Sequence, residues 1–190
     1  MNWLSHAKEL NLIMNGLSVF KTDGAETSID NAFLLWKKNT LAIREEKKTI
    51  FLIGNGASAS MASHAAADLA KNARVRTEVF SDLSLITAFA NDMGYENVFA
   101  EPLRRHMCTG DMLVAISSSG QSSNVILAAE EAQRKGGYIV TLSAMEKNNK
   151  LRSMGMLNFY LPASTYGMAE TGHAAILHYW IDQTVQECSI

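Results

Sequence analysis

The chain has 190 residues, a formal net charge of −2 and 47% hydrophobic residues. That length makes one domain the expectation and buries enough surface to form a core without staples. Cys108 and Cys188 are too few for a disulfide framework or a cysteine zinc site, and they fit a reduced, cytoplasmic setting. The near-balanced charge gives no electrostatic footprint for nucleic acid or an acidic membrane.

The N-terminal stretch MNWLSHAKELNLIMNGLSVF carries Lys8 and Glu9. It is read neither as a signal-peptide core nor as a bilayer span. Trp3, Leu10, Met14 and Leu17 fall near one stripe, so residues 1–20 predict an amphipathic helix. KTDGAETS is a polar break, and a second helix is predicted over about 28–48. TIFLI (49–53) is a short apolar run, read as a strand buried on both faces. A helix over about 58–72 and a weaker strand, RTEVF (76–80), follow. LSLITAFAND and ENVFAEPLRRHM read as short helices, with Pro102 marking a first turn or a kink. DMLVAI (111–116) is the next strand, ended by SSSG, and a helix covers about 122–135. GYIVTLS (137–143) is a strand and KNNKLRSMG a short helix or turn. LNFYL (157–161) is the last strand, stopped by Pro162, and a final helix covers about 168–187.

Strands alternating with helices predict an α/β fold, a parallel sheet with helices on both faces. The two leading helices precede the first strand. They are expected to stand outside the sheet layers and to pack on a partner subunit. The alternative is that they cover one face of their own sheet.

In open α/β sheets ligands bind beyond the carboxyl ends of the strands, and two such ends carry unusual chemistry. GNGAS (54–58) follows TIFLI. Gly54 and Gly56 allow a tight turn, and Ser58 is placed to cap the next helix. A helix start with free N–H groups attracts phosphate or carboxylate. The loop lacks the third glycine of a dinucleotide fingerprint and the Lys-Ser/Thr pair of a P-loop. SSSGQSS (117–123) follows DMLVAI, and Ser117, Ser118, Ser119 and Ser122 surround a glycine. Serine hydroxyls donate to phosphate oxygens without fixed charge. Neither loop contains lysine or arginine, so a phosphate monoester fits better than a nucleoside triphosphate.

Four stretches carry a resemblance: GNGASASMASHAAADL, SDLSLITAFANDMGYENVF, GDMLVAISSSGQSSNVI and AETGHAAILHYWI. With them the chain resembles the sugar isomerase (SIS) domain family, and more closely the phosphoheptose isomerases. Those enzymes convert sedoheptulose 7-phosphate to an aldoheptose 7-phosphate for surface glycans. The likeness covers nearly the whole chain, read as one SIS domain over 1–190. It implies a three-layer α/β/α fold of flavodoxin-like type, with a five-stranded parallel sheet (49–190) preceded by two N-terminal helices (1–48). It also implies a homotetramer with sites between subunits and one bound divalent metal per subunit, zinc in some members.

By position, the resemblance puts Asn55, Gly56, Ala57 and Ser58 at the sugar phosphate. It puts Ser117, Ser118, Ser119 and Ser122 on the phosphate, and Asn91 and Asp92 on the sugar. His64, Asp68, Glu170 and His178 form the metal and catalytic cluster, with Glu170 also touching substrate. Moving a carbonyl between C1 and C2 needs a base at carbon and an acid for the oxygens. Asp68 is the candidate base and His178 its acid/base partner, and a metal would polarise the enediol oxygens. His64 and Asp68, at i and i+4, share one helix face.

Glu170 and His178 sit eight residues apart, a rise of roughly 12 Å on a straight helix. Either Glu170 precedes the helix, or one ligand comes from another subunit, or Glu170 pairs locally with His173. His173 is otherwise structural or behind the ligands, and His6 and His106 are expected to be solvated.

Four departures from the family pattern stand out: Asp68 for glutamate, Glu170 for glutamine, Ala57 for glycine, and no arginine matching the customary one after the helix. Two other readings within the family are a non-catalytic member that binds a partner such as a replication initiator, and a sugar-phosphate sensor. The partner-binding relative has lost the carboxylate and the last histidine, and both are present here.

Overall fold

The computed structural model describes residues 2–188, the side chain of Cys188 excepted. A seven-stranded sheet is sandwiched between two helical layers. In chain order the elements are α1 (Trp3–Asn15), β1 (Ser18–Phe20), β2 (Glu26–Thr27), α2 (Ile29–Glu45), β3 (Thr49–Gly54), α3 (Ala57–Ala73) and β4 (Arg76–Val79). There follow α4 (Leu83–Met93), α5 (Ala100–His106), β5 (Met112–Ser117), α6 (Ser123–Arg134), β6 (Tyr138–Ala144), β7 (Leu157–Leu161) and α7 (Tyr166–Cys188). Single 3₁₀ turns at Tyr95–Asn97 and Lys150–Ser153 fill the longer connections.

The strand order is β2-β1-β7-β6-β5-β3-β4. The run β4-β3-β5-β6-β7 is parallel throughout, which is the five-stranded core the resemblance implied. The sheet is larger than that core because a hairpin, β1–β2, adds antiparallel to the free edge of β7. It replaces the end of the first predicted helix and the polar break. Gly16 ends α1, its N–H bonding back to Leu12 and Ile13 carbonyls. The next residues, Ser18–Phe20, then turn onto β7 as a strand.

The buried strands read as continuous apolar runs because both faces are covered. Ile50, Leu52, Val114, Ile116, Leu142 and Phe159 face α2, α3 and α7. Phe51, Ile53, Leu113, Ala115 and Ile139 alternate to the other face, under α5 and α6. Pro102 falls in the first turn of α5, where its missing N–H costs nothing.

The expectation that both leading helices stand outside the layers holds for neither in full. α2 buries Ala32, Phe33, Trp36, Thr40 and Ile43 in its own core. Trp36 stacks on Trp180 of α7 with centroids 4.1 Å apart, and the Trp180 indole N–H donates to the Thr40 hydroxyl at 3.0 Å. α1 buries only Ile13 and leaves Trp3, Leu4 and Leu12 in solvent. No helix among the described residues is long and apolar enough to cross a membrane.

Chain order reverses direction between β3 and β5, which lie side by side. The crevice beyond their carboxyl ends is therefore the topological switch point, where open α/β sheets bind ligands.

Candidate active site

The loop after β3 makes the first wall. Gly54 packs so closely on Ser58 that a side chain at Gly54 would collide with it. Gly56 takes φ +55°, in the left-handed region, and stands at the N-cap of α3 without a side-chain cap. Ser58, predicted as the cap, instead lies inside the first turn and is buried against the pocket, because the helix begins at Ala57 with Gly56 at the cap position. Gly56 and Ala57 are exposed at the mouth.

The loop after β5 makes the second wall. The Ser117 and Ser122 hydroxyls lie 3.2 Å apart, and Ser119 Oγ accepts the Gln121 N–H at 3.2 Å. Gly120 bends the loop at φ +61°, and a Cβ there would strike the Asn149 side chain. Between the walls is a cavity of about 180 Å³. Asn55, Ser58, Ser117, Ser118, Ser119, Ser122, Tyr166 and Glu170 supply its polar lining, and no lysine or arginine is among them.

The two loops are clasped through Asn55 by Asn124 and Tyr95, which sequence reading missed. Asn55 and Asn124 exchange side-chain amide bonds, each at 2.9 Å. The Tyr95 hydroxyl donates to the same Asn55 oxygen at 3.2 Å, and the Val125 N–H donates to Asn124 at 3.0 Å. The Asn55 amide is thus already engaged. Asn124 is buried, so its replacement by leucine would strand the Asn55 amide. We expect Asn124→Leu to cost about 1–3 kcal/mol in urea denaturation, the penalty of an unsatisfied buried polar group.

A separate cluster lies along the seam of α3 and α7. The small residues Ala62, Ala65 and Ala66 let α3 approach α7 closely. The Trp36–Trp180–Thr40 contacts fix the rotation of α7, so that His178 faces His64. His64 Nε2 is 3.3 Å from an Asp68 carboxylate oxygen, and the His64 and His178 rings meet edge to face at 5.3 Å. One ligand atom from each of His64, Asp68 and His178 lies within 4.8 Å of the others. All three are at least partly solvent-exposed.

Glu170 is not in this group. α7 runs unbroken through both Glu170 and His178, and Glu170 faces the serine pocket instead. Asn91 and Asp92 are exposed at the end of α4, bonded to each other at 2.8 Å, and do not line the cavity.

His173 makes no pair with Glu170. It is fully buried beside the Ser143 backbone of β6, neither ring nitrogen making a hydrogen bond of normal geometry. Burial lowers its pKa to about 4, against a smaller opposing pull from the Ser143 backbone. His106 is not simply solvated, since it bonds Glu78 at 2.7 Å, and His6 stacks on Trp3.

The fold and these walls are those of a sugar isomerase domain, and the SIS domain profile matches residues 25–144. A phosphoheptose isomerase of Geobacter sp. (strain M21) is 32% identical over 144 residues, 73% of this chain and 74% of that one. One from Fusobacterium nucleatum is 34% identical over 141 residues, 71% of this chain and 72% of its own. Among solved structures, a phosphoheptose isomerase from Neisseria gonorrhoeae superposes with a TM-score of 0.79 at 24% identity, over 95% of both chains. One from Francisella tularensis gives 0.81 at 21% identity, over 98% of this chain and 100% of that one. The chain belongs to the SIS domain family, within its phosphoheptose isomerase branch.

Proposed function

We propose that this protein is an aldose–ketose isomerase acting on a seven-carbon sugar phosphate. The reaction is sedoheptulose 7-phosphate to D-glycero-D-manno-heptose 7-phosphate, in the cytoplasm, toward a surface glycan. The observation that carries this reading is the meeting of a carboxylate and two imidazoles from α3 and α7, on the same two helices that wall the serine pocket.

Ser117, Ser118, Ser119 and Ser122 hold the phosphate by hydroxyl donation. Gly56, Ala57 and Ser58 shape the approach and Glu170 reads the sugar hydroxyls, while Asn91 and Asp92, outside the cavity of their own chain, reach a sugar only across a subunit boundary. Asp68 takes the proton from C1 of the ketose. His178 supplies a proton to the C2 oxygen and removes one from the C1 oxygen. Asp68 then returns its proton to C2, giving the aldose.

His64, Asp68 and His178 present a two-nitrogen, one-oxygen donor set that suits a divalent ion such as zinc, and small side-chain rotations bring the three together. When bound, such an ion supplies Lewis-acid polarisation of the sugar oxygens. Glu170 serves as a further ligand only from a neighbouring subunit, because its own helix holds it about 12 Å along from His178.

Assembly as a homotetramer with shared sites fits that separation. It also gives the exposed Trp3, Leu4 and Leu12 of α1, and Leu83 and Met93 of α4, a covered place. The whole chain then acts as one domain, α1 serving assembly and α2 the core.

The test is turnover on a panel of five- to seven-carbon ketose phosphates. The highest kcat/KM is expected with sedoheptulose 7-phosphate. Binding of these sugars with no turnover on any of them would make the protein a sensor, and no binding at all a partner-binding relative.

A further inference from the structure

A second cavity, separate from the serine pocket and the His64 cluster, opens between the β1–β2 turn and the connection from β6 to β7. Its volume is about 460 Å³, within the range of small-molecule sites. Lys21, Lys147 and Arg152 bring three positive charges to it, and no carboxylate lines it. Thr22, Asn148 and Ser153 add neutral donors, and Phe20 an aromatic wall.

Arg152 is prepared rather than merely present. Its guanidinium lies 4.6 Å from the Phe20 ring and 4.1 Å from the Tyr160 ring. It donates to the Lys147 carbonyl at 2.7 Å and to Ser18 Oγ at 3.3 Å. These contacts set the plane of the fork without neutralising it. Arg104, Arg105 and Arg134, by contrast, are each paired with a glutamate. Among the described residues Lys21 and Lys147 have no ion pair, while their neighbour Lys150 holds Glu130 at 2.8 Å. Asp23, in the hairpin turn, turns its carboxylate to the Ala25 N–H at 2.9 Å. A fixed guanidinium flanked by two free ammonium groups matches a multiply charged phosphate.

The cavity also reaches the serine loop through Asn149, which lines it and packs on Gly120. The Asn149 side chain accepts the Arg152 N–H at 3.0 Å, and the Leu151 N–H donates to the Gly120 carbonyl at 3.1 Å. A ligand held by Lys147 and Arg152 therefore bears on the segment that supports the serine loop.

We propose that this cavity is a second anion site, taking an organic phosphate with two or three negative charges, and that its occupancy adjusts the serine loop. The probe is inorganic pyrophosphate, titrated calorimetrically into the full chain. Two sites per chain are expected in the wild type, one in the serine pocket and one in the cavity. Lys21→Ala/Lys147→Ala is expected to keep only the first, and Ser118→Ala/Ser119→Ala only the second.

Retention of both sites in the lysine variant would overturn the proposal. So would a single wild-type site that the serine substitutions abolish. These outcomes are read from binding alone and stand whether or not the isomerase assignment holds. Where turnover is measured, pyrophosphate is expected to change kcat in the wild type but to act as a plain competitor in the lysine variant. The same inhibition pattern in both would overturn the coupling to the serine loop.

Discussion

Asp68→Asn is expected to lower kcat for ketose–aldose conversion by about 10²- to 10⁴-fold, the usual worth of a positioned proton-transfer group. The substitution keeps the size of the side chain and removes its ability to take a proton. The fold should not notice it. Asp68 is only partly buried, and among the described residues its ionic partner is His64, itself exposed. His178→Ala should cost a similar factor by removing the group that serves the sugar oxygens, and the fold should tolerate it because His178 also reaches solvent. Both variants should keep the wild type's association state, whatever its order, and its thermal midpoint. Full activity in Asp68→Asn would move the base elsewhere. Glu170 is then the next carboxylate to test, because it already lines the serine pocket.

The second large effect is on stability in acid. His173 is neutral and buried in the native chain, with a pKa lowered from 6.5 to about 4. The unfolded chain binds this proton more readily. Between those two values stability therefore falls as pH falls: it is fully present above pH 6.5 and lost progressively toward pH 4. The lowering amounts to about 3 kcal/mol for this one group. Denaturant titrations at pH 7 and pH 4.5 should show most of that loss. His173→Leu, close in size and without a titrating ring, should flatten the curve across the same window. An unchanged pH slope in that variant would remove His173 as its source.

The parallel core and both loops are legible because they obey local rules. TIFLI, DMLVAI and LNFYL are mostly apolar runs, and each glycine or serine loop sits at a strand end. The hairpin is not legible that way. Strands of three and two residues have too few side chains to show alternation, and the pairing partner of Ser18–Phe20 is some 140 residues along the chain. Asn124 and Tyr95 were missed for a related reason. Each resembles an ordinary helix or turn residue until the fold brings it to Asn55. The rise between Glu170 and His178 was readable from their spacing. That Glu170 faces the serines was not, because it depends on how α7 lies across the sheet.

The hairpin carries a consequence for solubility. Without it β7, a mostly apolar strand buried along its whole length, would offer an unpaired row of N–H and C=O groups at the margin of the sheet. Such a row templates the addition of foreign strands. With it, one margin is the two-residue β2 and the other is the four-residue β4, which carries Arg76 and Glu78. Both are short, and β4 is charged, which disfavours growth by strand addition. The hairpin over residues 18–27 thus acts as a guard against aggregation.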